Sequence, residues 1–132
     1  MPLRVVSLRR QGRVIPRRTD GMRAAVIALK PNAVMDWHST GPREELLIVL
    51  AGRVQVHTAK APPKQRKEER KNRKEKIFAS FAKFRVFCGT GFCDVAVIRA
   101  GQCAFLPVKT WHRIVNRSER KARYLYVTAA AA

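Results

Sequence analysis

The sequence predicts an all-β domain, a sandwich or barrel built from many short strands, and three observations carry that expectation. Short runs rich in apolar and β-branched residues recur at close spacing, separated by Gly, Pro, Asn or Asp. The longest, ELLIVLAGRVQVH at 45–57, is apolar on both sides of a single Gly52, and a glycine there marks a tight bend or bulge between two strands. The 132 residues, 46% of them hydrophobic, suffice for one compact core and little more.

In chain order the expected strands are LRVVSL (3–8) and RVI (13–15), which together make residues 1–20 an N-terminal arm of short strands. GMRAAVIALKPN (21–32) reads as a strand entering a turn at Pro31-Asn32. The pair around Gly52 follows. DVAVI (94–98), CAFLPV (103–108), HRIV (112–115) and ARYLYVT (122–128) complete a barrel expected to span 21–128. One stretch departs from this pattern. KAPPKQRKEERKNRKEK (60–76) offers almost nothing to bury, starts with a Pro-Pro linker signal and is too short for a core of its own. It reads as a basic surface insertion between two strands. FASFAKFRVF (78–87) then restores hydrophobicity.

The formal net charge is +19, from 28 Lys and Arg against 9 Asp and Glu, which favours anionic partners or a solvated charge run. Arg9, Arg10, Arg17, Arg18 and the 60–76 run would give non-specific, salt-sensitive nucleic-acid binding, although no aromatic lies within that run to stack on bases. Three cysteines, Cys88, Cys93 and Cys103, do not resemble a disulfide framework, and a zinc site on them would have non-standard spacing. They are expected to be buried and inert, in a reducing compartment. No apolar run approaches the ~20 residues needed to span a bilayer, and the N-terminus has no apolar signal core, so a cytoplasmic protein with no membrane span is expected. Edge strands such as 3–8 offer a surface through which two copies would pair as a homodimer.

Two stretches carry the chemistry. In DWHSTGPREE (36–45), Asp36, His38 and Thr40 share strand parity, and Glu45 opens a strand whose same-face neighbours are Leu47 and Val49. A carboxylate opening an apolar strand face is costly to bury unless it is paired, hydrogen-bonded or bound to metal. In PVKTWHRIVN (107–116), His112, Ile114 and Asn116 share a face. Two histidines and a carboxylate can form a facial triad with open positions. The third histidine, His57, is expected at the surface.

The spacing of these residues resembles the cupin family. Its first motif runs Gly, five residues, His-x-His, three or four residues, Glu, six residues, Gly. Here that becomes Asn32, AVMDW, His38-Ser39-Thr40, GPRE, Glu45, LLIVLA, Gly52. Its second motif runs Gly, five residues, Pro-x-Gly, two residues, His, three residues, Asn. Here that becomes Gly101, QCAFL, Pro107-Val108-Lys109, TW, His112, RIV, Asn116. Three positions depart from the motifs. Asn32 and Lys109 replace glycines, and Thr40 replaces a histidine that in typical metal-binding cupins would be a fourth ligand.

The resemblance implies a double-stranded β-helix, a jelly-roll barrel, with the basic insertion in the segment where the family varies in length. It implies a divalent metal (Fe, Mn, Zn or Ni) held by His38, Glu45 and His112. The pocket would be lined by Asp36, Trp37, Thr40, Phe105 and Trp111, with Arg43, Lys109 and Arg113 as contacts for a small polar or anionic ligand. The functions that follow are a metal-dependent oxygenase or isomerase, a non-catalytic small-ligand-binding or regulatory domain, or a basic nucleic-acid-associated protein. Fold alone does not choose among them.

Overall fold

The computed structural model describes residues 3–15, 21–61, 83–88 and 91–131. Most of the basic insertion, 62–76, lies outside these. All regular structure among the described residues is β. The strands are β1 (Gly12–Arg13), β2 (Met22–Leu29), β3 (Val34–Ser39), β4 (Arg43–Ala51), β5 (Arg53–Ala59), β6 (Lys83–Cys88), β7 (Gly91–Arg99), β8 (Cys103–Leu106), β9 (Trp111–Val115) and β10 (Ala122–Ala130). They form two five-stranded antiparallel sheets, ordered β1-β2-β10-β4-β8 and β3-β9-β5-β7-β6. No helix in the described residues is long and apolar enough to cross a membrane.

Alternation builds the core. From the first sheet Leu29, Leu47, Val49, Leu106, Ala122 and Tyr124 turn inward, and from the second Val54, Val56, Ile98 and Ile114 meet them. Tyr124 is fully buried. Its phenol is pushed far above its ordinary pKa, first by burial, then by the Glu45 carboxylate and by Tyr126.

The turns are set by a few residues. Gly52, between β4 and β5, has φ +73, and a Cβ there would stand 3.0 Å from the Lys121 carbonyl oxygen and 3.1 Å from Ala122 Cα. Only glycine fits so close to another backbone. Asn32 and Lys109 adopt φ +64 and +54, so the conformation of a turn glycine is kept although the residue type is not. Asn116, fully buried, donates through Nδ2 to the carbonyls of Leu29 (3.0 Å) and Arg120 (2.7 Å) and accepts at Oδ1 from Ser118 N and Oγ. Its backbone also pairs with Asn32 and Ala33. The last residue of the second motif therefore fastens the turn that begins the first.

The N-terminal expectation is corrected. Residues 3–8 form no strand: Leu3 and Val5 are 92% and 89% exposed, and among the described residues of that arm the only pairing is β1 with β2. Apolar composition without a neighbouring strand does not make a ladder. The thiol expectation is corrected as well. Buried Cys93 is disulfide-bonded and Cys103 is a free, exposed thiol, so these cysteines do not supply a zinc site.

Candidate metal centre and adjoining cavity

Strand β3 brings His38 beside His112, at the exposed end of the inward row, by an irregularity. Met35 is opposite Ile114 and His38 is opposite His112, so three steps on β3 match two on β9. The extra residue is a β-bulge at Asp36–Trp37. It puts both Met35 and His38 on the inward side, although their spacing is odd. Asp36 is corrected by the same feature. Its parity with His38 is broken, it is exposed, and its carboxylate accepts from Trp37 N at 2.8 Å.

His38 and His112 are cross-strand neighbours, with ring centroids 4.1 Å apart and planes at 61°. Each is oriented in the same way. His38 Nδ1 donates to the Asp36 carbonyl at 2.7 Å, and His112 Nδ1 donates to the Thr110 carbonyl at 3.1 Å. A carbonyl only accepts, so Nδ1 carries the proton in both rings, and in the neutral imidazole Nε2 presents a lone pair. This is the orientation that carbonyl partners impose on metal-binding histidines.

Glu45 reaches the same place from the opposite sheet. It is buried, and its Oε2 lies 3.2 Å from His112 Nε2. His112 is fully buried, and its Nε2 has no hydrogen-bond partner, so the short approach to Glu45 lacks hydrogen-bond geometry. A lone pair facing a buried carboxylate is unfavourable unless a cation joins them. Two ligands of one octahedral ion, each about 2.1–2.2 Å from it, would stand at about this separation. The separation of His112 Nε2 and the Glu45 carboxylate therefore fits two ligands of one divalent metal. Among the described residues no three His, Cys, Asp or Glu side chains are already gathered into a metal cluster. His38 is the exposed member, held at Nδ1 by a single hydrogen bond.

Thr40 has other work. Its hydroxyl donates to the Pro107 carbonyl at 2.7 Å and accepts from Thr110 N at 3.0 Å, while its backbone N donates to the Thr110 carbonyl. The residue at the fourth-ligand position ties the end of β3 to the β8–β9 loop.

The proposed anion contacts are also placed elsewhere. Arg43 clamps β4 to β10 and to the start of β2, donating to Thr128 Oγ1 (2.9 Å), the Thr128 carbonyl (3.1 Å) and the Gly21 carbonyl (2.6 Å). Arg113 follows His112 on β9 and so faces outward. There its guanidinium stacks 5.2 Å from the Trp37 ring centroid and its Nε donates to His57 Nδ1 at 3.1 Å. Lys109 is exposed in the β8–β9 turn. Trp111 precedes His112 and is turned to the outer face by the same alternation. Neither tryptophan lines the cavity described below. His57 is buried rather than at the surface, with Nε2 donating to Gln55 Oε1 at 3.0 Å. Burial first, then Arg113 and Arg117, lower its pKa to about 3, so it is neutral.

A cavity of about 630 Å³ opens between the β8 edge of the first sheet and β5–β7 of the second, lined mainly by Val56, Ala96, Ile98, Ala104, Phe105 and Leu106. Its polar lining includes Thr58 and Asp94. Register ties these to the histidines. His38 is opposite His112, His112 is opposite Thr58, and Thr58 is opposite Asp94, so one inward row crosses four strands. Glu45 is opposite Leu106, which lines the same space. Sequence reasoning missed Thr58 and Asp94. The signal was present: Asp94 opens the face continued by Ala96 and Ile98, as Glu45 opens the face of Leu47 and Val49.

Two antiparallel sheets closing around an inward row of this kind define a small jelly-roll domain with a ligand-sized interior. Solved structures specify which one. A Cupin 2 conserved barrel domain protein from Salinispora arenicola matches with TM-score 0.60 and 17% identity, over 99% of this chain and 90% of that one. The cupin domain of Schizosaccharomyces pombe Cnp3 matches with TM-score 0.61 and 11% identity, over 96% of this chain and 65% of that one. An oxalate oxidase matches with TM-score 0.56 and 14% identity, over 83% of this chain and 42% of that one. The chain thus spans just under two thirds of the Cnp3 structure and less than half of the oxalate oxidase. No family model and no curated protein matches. The fold is the cupin barrel.

Proposed function

We propose that this cupin domain binds a divalent metal through His38 Nε2, Glu45 and His112 Nε2, and presents it to a small molecule held in the adjoining cavity. The observation that carries the reading is the fully buried His112 Nε2, which has no hydrogen-bond partner and lies 3.2 Å from the Glu45 carboxylate. Both imidazoles keep their Nε2 lone pairs inward because Nδ1–H is bound to a carbonyl. Histidine nitrogen and carboxylate oxygen suit iron, manganese, zinc or nickel.

Three protein donors leave open positions, so a bound metal would supply Lewis acidity, or oxygen activation if it is iron. The chain's own residues do the rest. Glu45 supplies the compensating negative charge from the opposite sheet. The Thr110 and Asp36 carbonyls hold the two tautomers. Thr40 closes the wall behind His38 without joining the donor set.

The test is metal loading of the purified chain, followed by metal analysis and calorimetric titration. Wild type is expected to retain about one equivalent of a divalent transition metal, and His112→Ala to lose it. Glu45→Gln is expected to weaken binding by at least about tenfold, as removal of a ligand charge does. A wild-type protein that stays metal-free after loading would sink the proposal.

A further inference from the structure

The outer face of the first sheet is apolar, in a chain whose net charge is +19. Register assigns its residues. Leu46 is opposite Phe105 and Val127, and Ile48 is opposite Cys103 and Leu125, all on the side away from Leu47, Val49 and Tyr124. Toward β2 the face is closed, with Ala24 and Val26 only 6% and 1% exposed. Toward β4 and β8 it is open. Phe105 is 59% exposed, Leu46 is 37% exposed and the Cys103 thiol is exposed, while Ile48, Leu125 and Val127 are half-buried. A contiguous apolar patch rimmed by polar groups marks a docking surface.

Charge decides what docks there. Among the outward residues of β2, β4, β8 and β10 the only charged ones are Glu44 and Arg123. They stand at opposite ends of the patch, Glu44 opposite Ala129 at the start of β4 and Arg123 opposite Ala51 at its end. Neither forms an ion pair among the described residues, and Arg123 Nε is buried without a hydrogen-bond partner. Two copies of so basic a chain repel one another wherever cations face cations. This face has no net charge, so two copies meet here without that repulsion.

We propose that a second copy of the chain packs on this face, about a twofold axis that lies in the interface and runs across the strands. Such an axis reverses strand direction. It sets Glu44 of one copy over the partner's Arg123, with the Leu46 and Phe105 pairs of both copies between the two ion pairs. A twofold along the strands would instead set Glu44 against Glu44 and Arg123 against Arg123. Cys103 and Phe105 also line the cavity, so the partner would border its mouth on the β8 side. The run from Glu44 to Ala51 on three strands gives a footprint of about 14 by 24 Å. That is below the roughly 800 Å² per partner of a standard interface, so the dimer is expected to be micromolar rather than nanomolar.

Sedimentation equilibrium of the full chain, at salt that screens charge beyond about 8 Å, tests this. Wild type is expected to pass from monomer to dimer between about 1 and 100 μM. Leu46→Lys is expected to weaken the dimer at least about tenfold, with unchanged circular dichroism, because each copy would bury an unpaired ammonium near the axis. Should Leu46→Lys fail to fold, Phe105→Ser must show the same loss. Glu44→Arg or Arg123→Glu alone is expected to weaken the dimer about fivefold, and the double variant to return to within about twofold of wild type. A wild type still monomeric at about 100 μM, or a dimer untouched by substitution at Leu46 and Phe105, overturns the proposal. A double variant no tighter than the single ones overturns the twofold arrangement. A monomer that co-sediments with phosphatidylcholine vesicles assigns the face to a lipid surface and overturns the second copy as its occupant. His112→Ala is expected to lose the metal and to dimerise as wild type does, so the dimer and the metal reading stand or fall separately.

Discussion

Thr40→Val separates a metal ligand from a structural clamp. Valine keeps the shape of threonine and removes the hydroxyl. The Pro107 carbonyl loses a 2.7 Å donor and Thr110 N loses a 3.0 Å acceptor, while the backbone bond from Thr40 N to the Thr110 carbonyl remains. Each lost bond costs about 0.5–1.5 kcal/mol net, and more where the abandoned partner is shielded from water. Thr40 and Thr110 are half-buried, so water reaches part of the gap, and a total near 2 kcal/mol is expected. For a domain of this size that is roughly 6–10 °C in Tm. Urea unfolding measures the stability, and titration with a divalent metal on the same samples measures the affinity. Thr40→Val should lose about 2 kcal/mol and keep its metal affinity within about twofold, and Thr40→Ser should keep both. A Thr40→Val protein of unchanged stability that has lost its metal would refute the clamp.

Other positions give further expectations. Gly52→Ala forces a side chain into φ +73 with its Cβ 3.0 Å from a backbone oxygen, and should cost about 2–3 kcal/mol in denaturant unfolding, with the β4–β5 turn distorted. His57 links stability to pH. Its folded pKa, about 3, lies below the unfolded value of 6.5, so between these the unfolded chain binds a proton that the folded one refuses. That stability is fully present above pH 6.5 and falls by up to about 1.4 kcal/mol per unit as pH drops toward 3. Unfolding midpoints at pH 7.5 and pH 5 should therefore converge in His57→Gln relative to wild type. Equal pH dependence in the two proteins would exclude His57 as the source.

Much of the architecture was readable because it depends on local chemistry. Gly52 divides β4 from β5 where the apolar run is broken, and Pro31-Asn32 ends β2 as its turn chemistry requires. His112, Ile114 and Asn116 share a face because β9 is regular. Other features depend on partners that a single segment does not reveal. LRVVSL has strand composition but forms no strand, and among the described residues no strand pairs with it. The bulge in β3 is defined only against β9, so parity counted along DWHST alone misplaces Asp36. For Trp111 the period of two was sufficient, since a residue adjacent to His112 on a regular strand faces the other way. Arg43 and Arg113 looked available because sequence shows charge and not the carbonyls, rings and hydroxyls that occupy it. Asp94 was as legible as Glu45, but outside the two motifs.

The extra residue in β3 works like a reading frame. Met35 and His38 both face inward only because the chain between them is one residue longer than the stretch of β9 opposite. Were residues 35–38 to pair regularly, with no bulge to absorb the extra residue, His38 would stand opposite Trp111 and its imidazole would emerge on the outer side, near Arg113. His38 is thus presented to the inner side by where the ladder absorbs its extra residue rather than by parity along β3, and a change that moved or removed the bulge while keeping the residue count would lose this donor although every residue of the donor set stayed the same.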